Sequence, residues 1–380
     1  MKKKRSSLTP DRSRNQVNAE KKKRMKRPVF KFFWIINMLA VAGLLFCTYS
    51  TYLNPAKHGV LSLAGLMFPV FLLANVAFIV LWLFFSTRHT LLSLAGCLLC
   101  IMSIRTYIPL NPGRTGAPGT SIKLLSYNVM GFDQEGGWSD ENPNPILKYL
   151  HDSKADVVCL QEAGGLKDSD RIKYLGSYPY YKETSVGNNG NVLACFSKYK
   201  IISSEKIDNQ TETNGSVVYR LLIKGDTILL INNHLQSNRL TMEDKAKYKK
   251  MFKEPKERTF REGFQLLMKK LPLANRLRGP QADSVSKLIR QRRYHGVWVC
   301  GDFNDSPVSY THRVIADDLV DAFVESGQGI GVSYNQKGFP FRIDNILVTK
   351  EWRTYKCTVD NSIKTSDHYP IWCYLKRIAP

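Results

Sequence analysis

Several polar residues have the types and positions that hydrolytic chemistry requires, and each lies where an apolar stretch ends or in the adjoining loop. Catalytic side chains often collect in such loops because the strands of a sheet hold them rigidly. Any one of these residues could instead be a turn or capping residue, but their joint occurrence favours one shared site. The candidates are Asn128, Gln161, Glu162, Asn233, His234, Asp302, Asn304, Arg342, Asp344, Asp367 and His368.

Three of these residues offer hard oxygen ligands, the type that Mg²⁺ or Mn²⁺ prefers. They are Glu162, Asn128 and Asp367. The sequence contains no Walker loop for nucleotide phosphates, no GxSxG nucleophile elbow and no HExxH zinc motif. We therefore expect Mg²⁺ or Mn²⁺ as the cofactor, and the number of ions, one or two, stays open.

The remaining candidates fit proton transfer and phosphate binding. The imidazoles of His234 and His368 can donate hydrogen bonds to phosphate oxygens, whereas Asp302 and Asp344 can accept them from water or from a histidine. Asp344 stands at the start of an apolar strand, where a buried carboxylate needs a partner. Together with a metal, these groups predict attack of water on a phosphoester.

The apolar stretches around these residues predict alternating strands and helices. Strands are expected over residues 122–128, 156–161, 192–197, 217–223, 227–232, 297–300, 343–348 and 371–375. Helices are expected over 145–153 and 284–293, and a helical basic stretch from Arg239 should break at Pro255, Pro272 and Pro280. Because a hairpin at Gly225 occurs beside crossovers, the order predicts a layered α/β sandwich.

The N-terminal third predicts a transmembrane module over residues 32–110. Segments 32–53 and 60–85 are apolar and exceed the roughly 20 residues needed to cross a bilayer. The first follows 31 polar residues and is interpreted as an anchor, not a cleaved signal peptide. Segment 90–110, with Arg105 near one end, is expected to span, or else to lie as an interfacial or re-entrant helix.

The basic tail, residues 1–31, predicts the orientation in the membrane. Its thirteen Lys and Arg favour a cytoplasmic N-terminus. Three crossings would then place the soluble domain, residues 121–380 after a Pro/Gly linker at 111–120, outside the cytoplasm, whereas two would leave it inside. We expect an integral protein of the inner (cytoplasmic) membrane with an extracytoplasmic catalytic domain.

Residues 239–293 form a second basic block within that domain. This segment and the tail each carry a net charge of +11, so nearly all of the total of +23 is local. This distribution argues against a uniformly basic nucleic-acid-binding domain. The segment could follow nucleic acid phosphates, lie on anionic lipid or be a solvated insertion.

Six segments resemble, in order and spacing, the endonuclease/exonuclease/phosphatase superfamily with its deoxyribonuclease-I-like fold. They are LLSYNVMGFD, DVVCLQEA, NNHLQS, VCGDFNDSP, RIDNILV and SDHYPIW, and the resemblance covers about residues 122–375. With its N-terminal module the chain resembles a membrane-tethered bacterial branch of that family. The resemblance implies an α/β fold, a four-layered sandwich of two packed mixed sheets flanked by helices, here preceded by an N-terminal transmembrane helical module.

The resemblance also implies residue roles. The implied metal ligands are Glu162 as the main one, Asn128 beside it and Asp367 near it. Asp302 and Asn304 would hold the attacking water and the phosphate, His368 would be the catalytic imidazole oriented by Asp344, and His234 would bind a phosphate oxygen. Whether His368 or Asp302 takes the proton of the water stays open. Met130 stands where many nucleases of the family have an acidic residue, which puts a second metal in doubt.

Three functions compete on this evidence. The first is a phosphodiesterase or phosphatase that hydrolyses a lipid headgroup or small phosphoester near the bilayer. The second is a membrane-tethered nuclease with nucleic acid as partner. The third, an inactive membrane scaffold, is disfavoured because every candidate catalytic residue is present. The sequence does not indicate the oligomeric state.

Overall fold

The computed structural model describes residues 27–112, 116–139, 141–188, 191–208, 211–254, 256–291, 294, 296–336 and 341–378. Most of the predicted basic tail, residues 1–26, and residues 113–115 of the predicted linker lie outside them. The chain divides into two compact units. The helical unit comprises the described part of Met1–Thr48 together with Met67–Ile101, and the sheet unit comprises Tyr49–Leu66 and Met102–Pro380.

Two helices in the N-terminal third are long and apolar enough to cross a membrane. The first lies within residues Arg27–Tyr52 and contains helix α1 (Arg27–Tyr49). The second lies within Leu61–Phe85 and contains helix α2 (Phe68–Phe85). Helices α3 (Thr87–Leu99) and α4 (Ile101–Tyr107) meet the same criterion only as a pair and are bent by 67° at their junction. They form a third span if the pair counts as one.

Buried polar side chains join the helices of the helical unit. The amide of Asn37 on α1 donates to Ser93 Oγ on α3 at 2.6 Å and accepts from Trp82 Nε1 on α2 at 2.7 Å. Asn75 Nδ2 donates to the carbonyl of Ala40 at 3.0 Å. Such interhelical hydrogen bonds are a common way for apolar helices to associate in a bilayer.

The sheet unit contains two six-stranded sheets. The first has the strand order β11-β12-β1-β2-β4-β3 and the second β5-β6-β7-β8-β10-β9. The strands are β1 (Ile122–Asn128), β2 (Val157–Gln161), β3 (Tyr180–Val186), β4 (Asn191–Ser197), β5 (Lys200–Lys206), β6 (Gly215–Ile223), β7 (Asp226–His234), β8 (Val297–Asp302), β9 (Val320–Asp321), β10 (Asp344–Val348), β11 (Trp352–Val359) and β12 (Ile371–Arg377). Each sheet combines parallel and antiparallel pairs, β1–β2 and β7–β8 being parallel.

Six further helices are described in the sheet unit, and four of them cover the sheets. They are α5 (Pro145–Asp152), α6 (Asp168–Leu175), α7 (Met242–Lys253), α8 (Glu257–Arg290), α9 (Tyr310–Ala316) and α10 (Ala322–Ser326). Helices α5 and α6 pack on the outer face of the first sheet, and α8 and α9 on that of the second.

Successive side chains of a strand point to opposite faces of its sheet, and this alternation separates the hydrophobic cores. On β1, Leu124 faces the core between the two sheets while Leu125 faces the core under α5 and α6. On β7, Leu230 and Leu229 divide in the same way between the central core and the core under α8. The predicted four-layered sandwich of two mixed sheets flanked by helices is therefore confirmed.

Two of the three predicted proline breaks in the basic stretch are wrong. Helix α8 continues through Pro272 and Pro280 for 34 residues, and Pro255 lies outside the described residues. A proline inside a helix removes one backbone hydrogen bond. Here the helix also buries Val285 and Ile289 in the core beside the second sheet, and such packing offsets the loss.

Two features of Gly301 on β8 disfavour a larger residue there: its backbone conformation and the close approach of a neighbouring strand. Its φ is 122°, and a Cβ atom there would collide with the carbonyl oxygen of Asn233 on β7. We expect Gly301→Ala to lower the free energy of unfolding by about 2 to 4 kcal/mol. Thermal unfolding of the full chain in detergent measures the effect.

Gly225→Ala is the matched control, because Gly225 has a φ of 89° and open space where a Cβ atom would stand. It carries the backbone penalty without the collision and should cost about 1 kcal/mol. Equal melting temperatures for the two variants would contradict the close approach of β7 and β8.

Candidate active site

The predicted site residues meet because the strands that carry them end at one edge of the two sheets. In the second sheet, His234 at the end of β7 and Asp344 at the start of β10 both lie opposite Asp302 at the end of β8. In the first sheet, Asn128 ends β1 opposite Gln161, and Glu162 follows directly. Packing of the sheets brings both sets to one cleft.

The carboxylate of Asp302 lies at the centre of this cleft and is 1% exposed. Its Oδ2 accepts from Asn128 Nδ2 at 3.3 Å and from Asn304 Nδ2 at 3.1 Å. The Nε2 atoms of His234 and His368 lie 3.7 and 3.6 Å from the same oxygen. Burial raises the pKa of Asp302 to about 6, a rise that Asp344 increases and the two histidines oppose.

A histidine–aspartate pair lies beside Asp302. His368 Nδ1 is 2.9 Å from Asp344 Oδ2, so Nδ1 carries a proton and Nε2 faces the cleft. Burial by itself would lower the pKa of His368, but the charges of Asp344, Asp302 and Asp367 outweigh it and raise the pKa to about 10. The imidazole is therefore cationic at neutral pH in the metal-free protein.

The second imidazole, His234, is oriented by a residue that sequence reasoning missed. Asn191 Nδ2 donates to the carbonyl of Thr213 at 3.0 Å and lies 2.8 Å from His234 Nδ1. Because this amide nitrogen can only donate, Nδ1 of His234 is the acceptor and Nε2 bears the proton. That N–H points toward Glu162, whose Oε1 is 3.5 Å away.

Glu162 faces the cleft from a strained backbone position. Its φ is 52°, a left-handed conformation that is rare for a residue with a side chain. The carboxylate is 39% exposed, and Oε1 accepts from Asn128 Nδ2 at 3.1 Å. The amide oxygen of Asn128 accepts from the backbone N–H of Met130 at 3.2 Å, so Asn128 presents its NH₂ group to the two carboxylates.

A lysine of the basic insertion reaches the last predicted ligand. Lys245 Nζ on α7 lies 3.4 Å from Asp367 Oδ2 and 5.8 Å from the centre of the Tyr334 ring. Both flanks of the insertion, at His234 and Asp302, lead to the site and predict a position near its rim, but nothing local pairs Lys245 with Asp367. The structure thus adds one cation to the cleft.

Three members of the predicted polar groups point away from the cleft. Gln161 donates to Asn232 Oδ1 between the sheets at 2.6 Å, and Asn233 accepts from Ser216 Oγ at 2.7 Å. Arg342 is buried beside Asp321, with Nη2 3.1 Å from Oδ2. These residues support the fold around the site and do not form its surface.

The side chains fit a hard divalent cation. Among the described residues, Asp302, Asp344 and His368 offer ligand atoms that all lie within 4.8 Å of one another. Asp344 Oδ1 is buried and has no hydrogen-bond partner in the described part of the chain, an orphaned acceptor that a cation or its water would satisfy. This group differs from the predicted ligand set of Glu162, Asn128 and Asp367, of which Glu162 and Asp367 line the same cavity.

The cleft encloses a cavity of about 340 Å³. Six of the eight predicted site residues line it: Glu162, His234, Asp302, Asn304, Asp367 and His368. Asn128 and Asp344 lie behind them and contact Asp302 and His368. The arrangement can bind an anion, hold a water beside Asp302 and supply protons from two oriented imidazoles.

Comparison with known proteins identifies the family. Residues 125–368 match the Endonuclease/Exonuclease/phosphatase family. Residues 30–107 match a domain of unknown function. No curated protein sequence matches the chain.

Similar solved structures come from several organisms. The human Nocturnin catalytic domain with bound sulfate anion is 16% identical, with 68% of this chain and 94% of that chain covered and a TM-score of 0.49. An endonuclease/exonuclease/phosphatase from Beutenbergia cavernae is 14% identical, with coverage of 68% and 72% and a TM-score of 0.47. The Bacteroides thetaiotaomicron mannosyl-6-phosphatase is 15% identical, with coverage of 67% and 100% and a TM-score of 0.44. Identity this low carries no information about substrate.

Replacing Glu162 by Gln removes a negative charge from the cavity wall and keeps the shape of the side chain. If Glu162 binds the cation, Mn²⁺ affinity measured by isothermal titration should fall at least about tenfold. Glu183→Gln, on the exposed edge strand β3, is the control and should bind Mn²⁺ as the unmodified chain does. Unchanged affinity in Glu162→Gln would remove Glu162 from the metal site.

Proposed function

Because the chain belongs to the Endonuclease/Exonuclease/phosphatase family, we propose that it is a membrane-anchored, divalent-metal-dependent phosphoesterase. The observation that carries this proposal is the convergence of two oriented imidazoles on the buried carboxylate of Asp302. A cavity lined by oriented imidazoles and carboxylates is the arrangement expected of an acid–base site. An inactive scaffold would have no need to keep this arrangement intact.

The charge states favour distinct roles for Asp302 and His368. With a pKa of about 6, Asp302 is ionised at neutral pH and accepts the proton of the attacking water. His368, held by Asp344, is cationic and directs its Nε2–H at the phosphate. His234 donates through Nε2 to another phosphate oxygen. Glu162, whose partly exposed carboxylate lines the cavity, would hold Mg²⁺ or Mn²⁺, and the ion would neutralise charge on the phosphate.

Tethering to the bilayer favours a lipid or small phosphoester as the substrate, and the ion pairs of the basic insertion bear on the nucleic-acid alternative. Lys247 pairs with Glu243, Arg258 with Glu262 and Lys270 with Asp244. Arg278 is buried and lies 3.3 Å from Asp305. These contacts reduce the number of free cations that could follow a phosphate backbone, so a membrane-tethered nuclease is the second candidate.

Contacts within the sheet unit support three membrane crossings. Residues 49–66, which connect α1 and α2, contact α8 and α9: Arg313 Nε donates to the Thr51 carbonyl at 2.9 Å, and Asn275 Nδ2 donates to Ser62 Oγ at 2.8 Å. Beyond the start of α4, Arg342 Nη2 donates to the Thr106 carbonyl at 3.1 Å. Because this connection and the sheet unit lie on one side of the bilayer, α2 and the α3–α4 pair cross together or not at all, and α2 is long and apolar enough to cross.

Combined with the basic tail, this argument favours an extracytoplasmic site. The thirteen Lys and Arg of residues 1–31 favour a cytoplasmic N-terminus. One crossing by α1 then brings residues 49–66 outside, and two further crossings bring the catalytic residues to the same side. An enzyme with this orientation would hydrolyse substrates on the outer face of the inner membrane.

Activity assays test the proposed chemistry. We expect Asp302→Asn and His368→Ala each to lower kcat for phosphoester hydrolysis at least about 10²-fold, because each removes a charge from the transition state. EDTA should abolish turnover, and Mg²⁺ or Mn²⁺ should restore it. His151→Ala, an exposed histidine on α5, is the control and should retain full rate. Full activity in EDTA would contradict the metal requirement, and unchanged kcat in folded variants would contradict the assigned roles.

Paired cysteine labelling tests the topology. Lys57→Cys, in the connection between α1 and α2, and Lys364→Cys, between β11 and β12, replace exposed residues. Both introduced cysteines should react with a membrane-impermeant maleimide added outside intact cells. Labelling of the unmodified chain gives the background to be subtracted. Labelling of position 57 alone would show that the α3–α4 pair does not cross.

A further inference from the structure

One wall of the catalytic cavity comes from the connection between α1 and α2. Leu63 and Leu66, in a short 3₁₀ helix over Leu61–Met67, line the same cavity as Asp302 and His368. Both leucines belong to the sheet unit by their contacts. A segment between two apolar helices therefore contributes directly to the surface that a substrate would meet.

Buried contacts hold this segment in place. Ser62 Oγ accepts from Asn275 Nδ2 on α8 at 2.8 Å and donates to the Gly59 carbonyl at 3.1 Å. Ser62 and Asn275 are both nearly fully buried. A Cβ atom at Gly65 would collide with the carbonyl oxygen of Val308, so the backbone here approaches the sheet unit closely. The position of Leu63 and Leu66 is thus built into the unit.

The lining of the cavity combines apolar and polar side chains. The two leucines and Leu271 of α8 are apolar, whereas Arg278 and Ser306 are polar. The same lining holds the carboxylates and imidazoles together with Lys245, whose Nζ is 3.4 Å from Asp367. A leucine side chain cannot hydrogen-bond a sugar or a nucleobase, but it favours a hydrocarbon group next to the phosphate.

We propose that Leu63 and Leu66 bind the hydrocarbon chain of an amphiphilic phosphoester while its phosphate lies at Asp302 and His368. The proposal rests on the proposed phosphoesterase function and names the substrate class of that site. It makes residues 49–66 a specificity element of the enzyme. A polar phosphoester would fill only the catalytic part of the cavity and would gain nothing from the leucines.

Short synthetic substrates test the proposal with the full chain in lipid nanodiscs containing Mg²⁺. Ethyl and hexyl p-nitrophenyl phosphate report diester hydrolysis, and ethyl and hexyl phosphate report monoester hydrolysis, so that each pair differs only in chain length. We expect kcat/KM to be about tenfold higher or more for the hexyl ester than for the ethyl ester. In Leu66→Ser the hexyl preference should fall to about twofold or less, because the loss of apolar contact affects the hexyl ester more than the ethyl ester.

Two further variants separate the proposal from general damage. Leu61→Ser changes a half-exposed leucine of the same 3₁₀ helix that does not line the cavity, and it should keep the hexyl preference. Leu66→Met retains an apolar side chain of similar volume, so this variant should also prefer the hexyl ester.

The outcomes distinguish this inference from the proposed function. Hydrolysis of ethyl esters without a hexyl preference, or a preference unchanged in Leu66→Ser, would overturn the inference and leave the phosphoesterase standing. Equal losses on ethyl and hexyl esters in Leu66→Ser would also overturn it, because they indicate damage to the catalytic groups. Absence of hydrolysis of all four esters would overturn the proposed function and the inference with it.

Discussion

The buried carboxylate of Asp302 is the constraint on which the rest of the site depends. A charge this far from water is costly unless donors surround it. Here the amides of Asn128 and Asn304 donate to it, and the imidazoles of His234 and His368 lie 3.7 and 3.6 Å from the same oxygen. These four groups come from both sheets and from separate loops, so both sheets must end at the same edge and in a fixed register. A slip of β8 by one residue would turn Asp302 to the opposite face, away from all four groups.

Backbone strain at this edge follows from the same requirement. Glu162 and Asn304 have φ values of 52° and 53°, and Gly301 takes a φ of 122° where β7 approaches closely. Each of these residues lies next to the last residues of a strand, where the chain must turn sharply while the polar side chains stay at the cleft. Such conformations persist only where the surrounding structure imposes them. The well-packed sheets supply that rigidity.

The sequence predicted the interior of the sheets far better than their borders. The eight strands it indicated, such as β1 and β8, are the interior strands, whereas the four it missed, β3, β5, β9 and β11, are the four edge strands. Edge strands carry one neighbour and more solvent, so they lack the apolar runs that mark a buried strand. In the site, eight residues at or near interior strand ends were recognisable, whereas Asn191 at the start of β4 was not. Lys245 and Leu66 reach the cleft through contacts that no local pattern records.

Those long-range contacts also change what counts as the catalytic domain. The Pro/Gly-rich linker at residues 111–120 suggests that a fragment beginning there would be complete, yet residues 49–66 belong to the sheet unit. Without them, Asn275 would lose its buried partner Ser62, and the cavity wall would lose Leu63 and Leu66. The substrate pocket is thus assembled from segments on both sides of α2 and the α3–α4 pair in the chain. Because the connection between α1 and α2 lines the cleft, the pocket is complete only in a chain that includes residues 49–66.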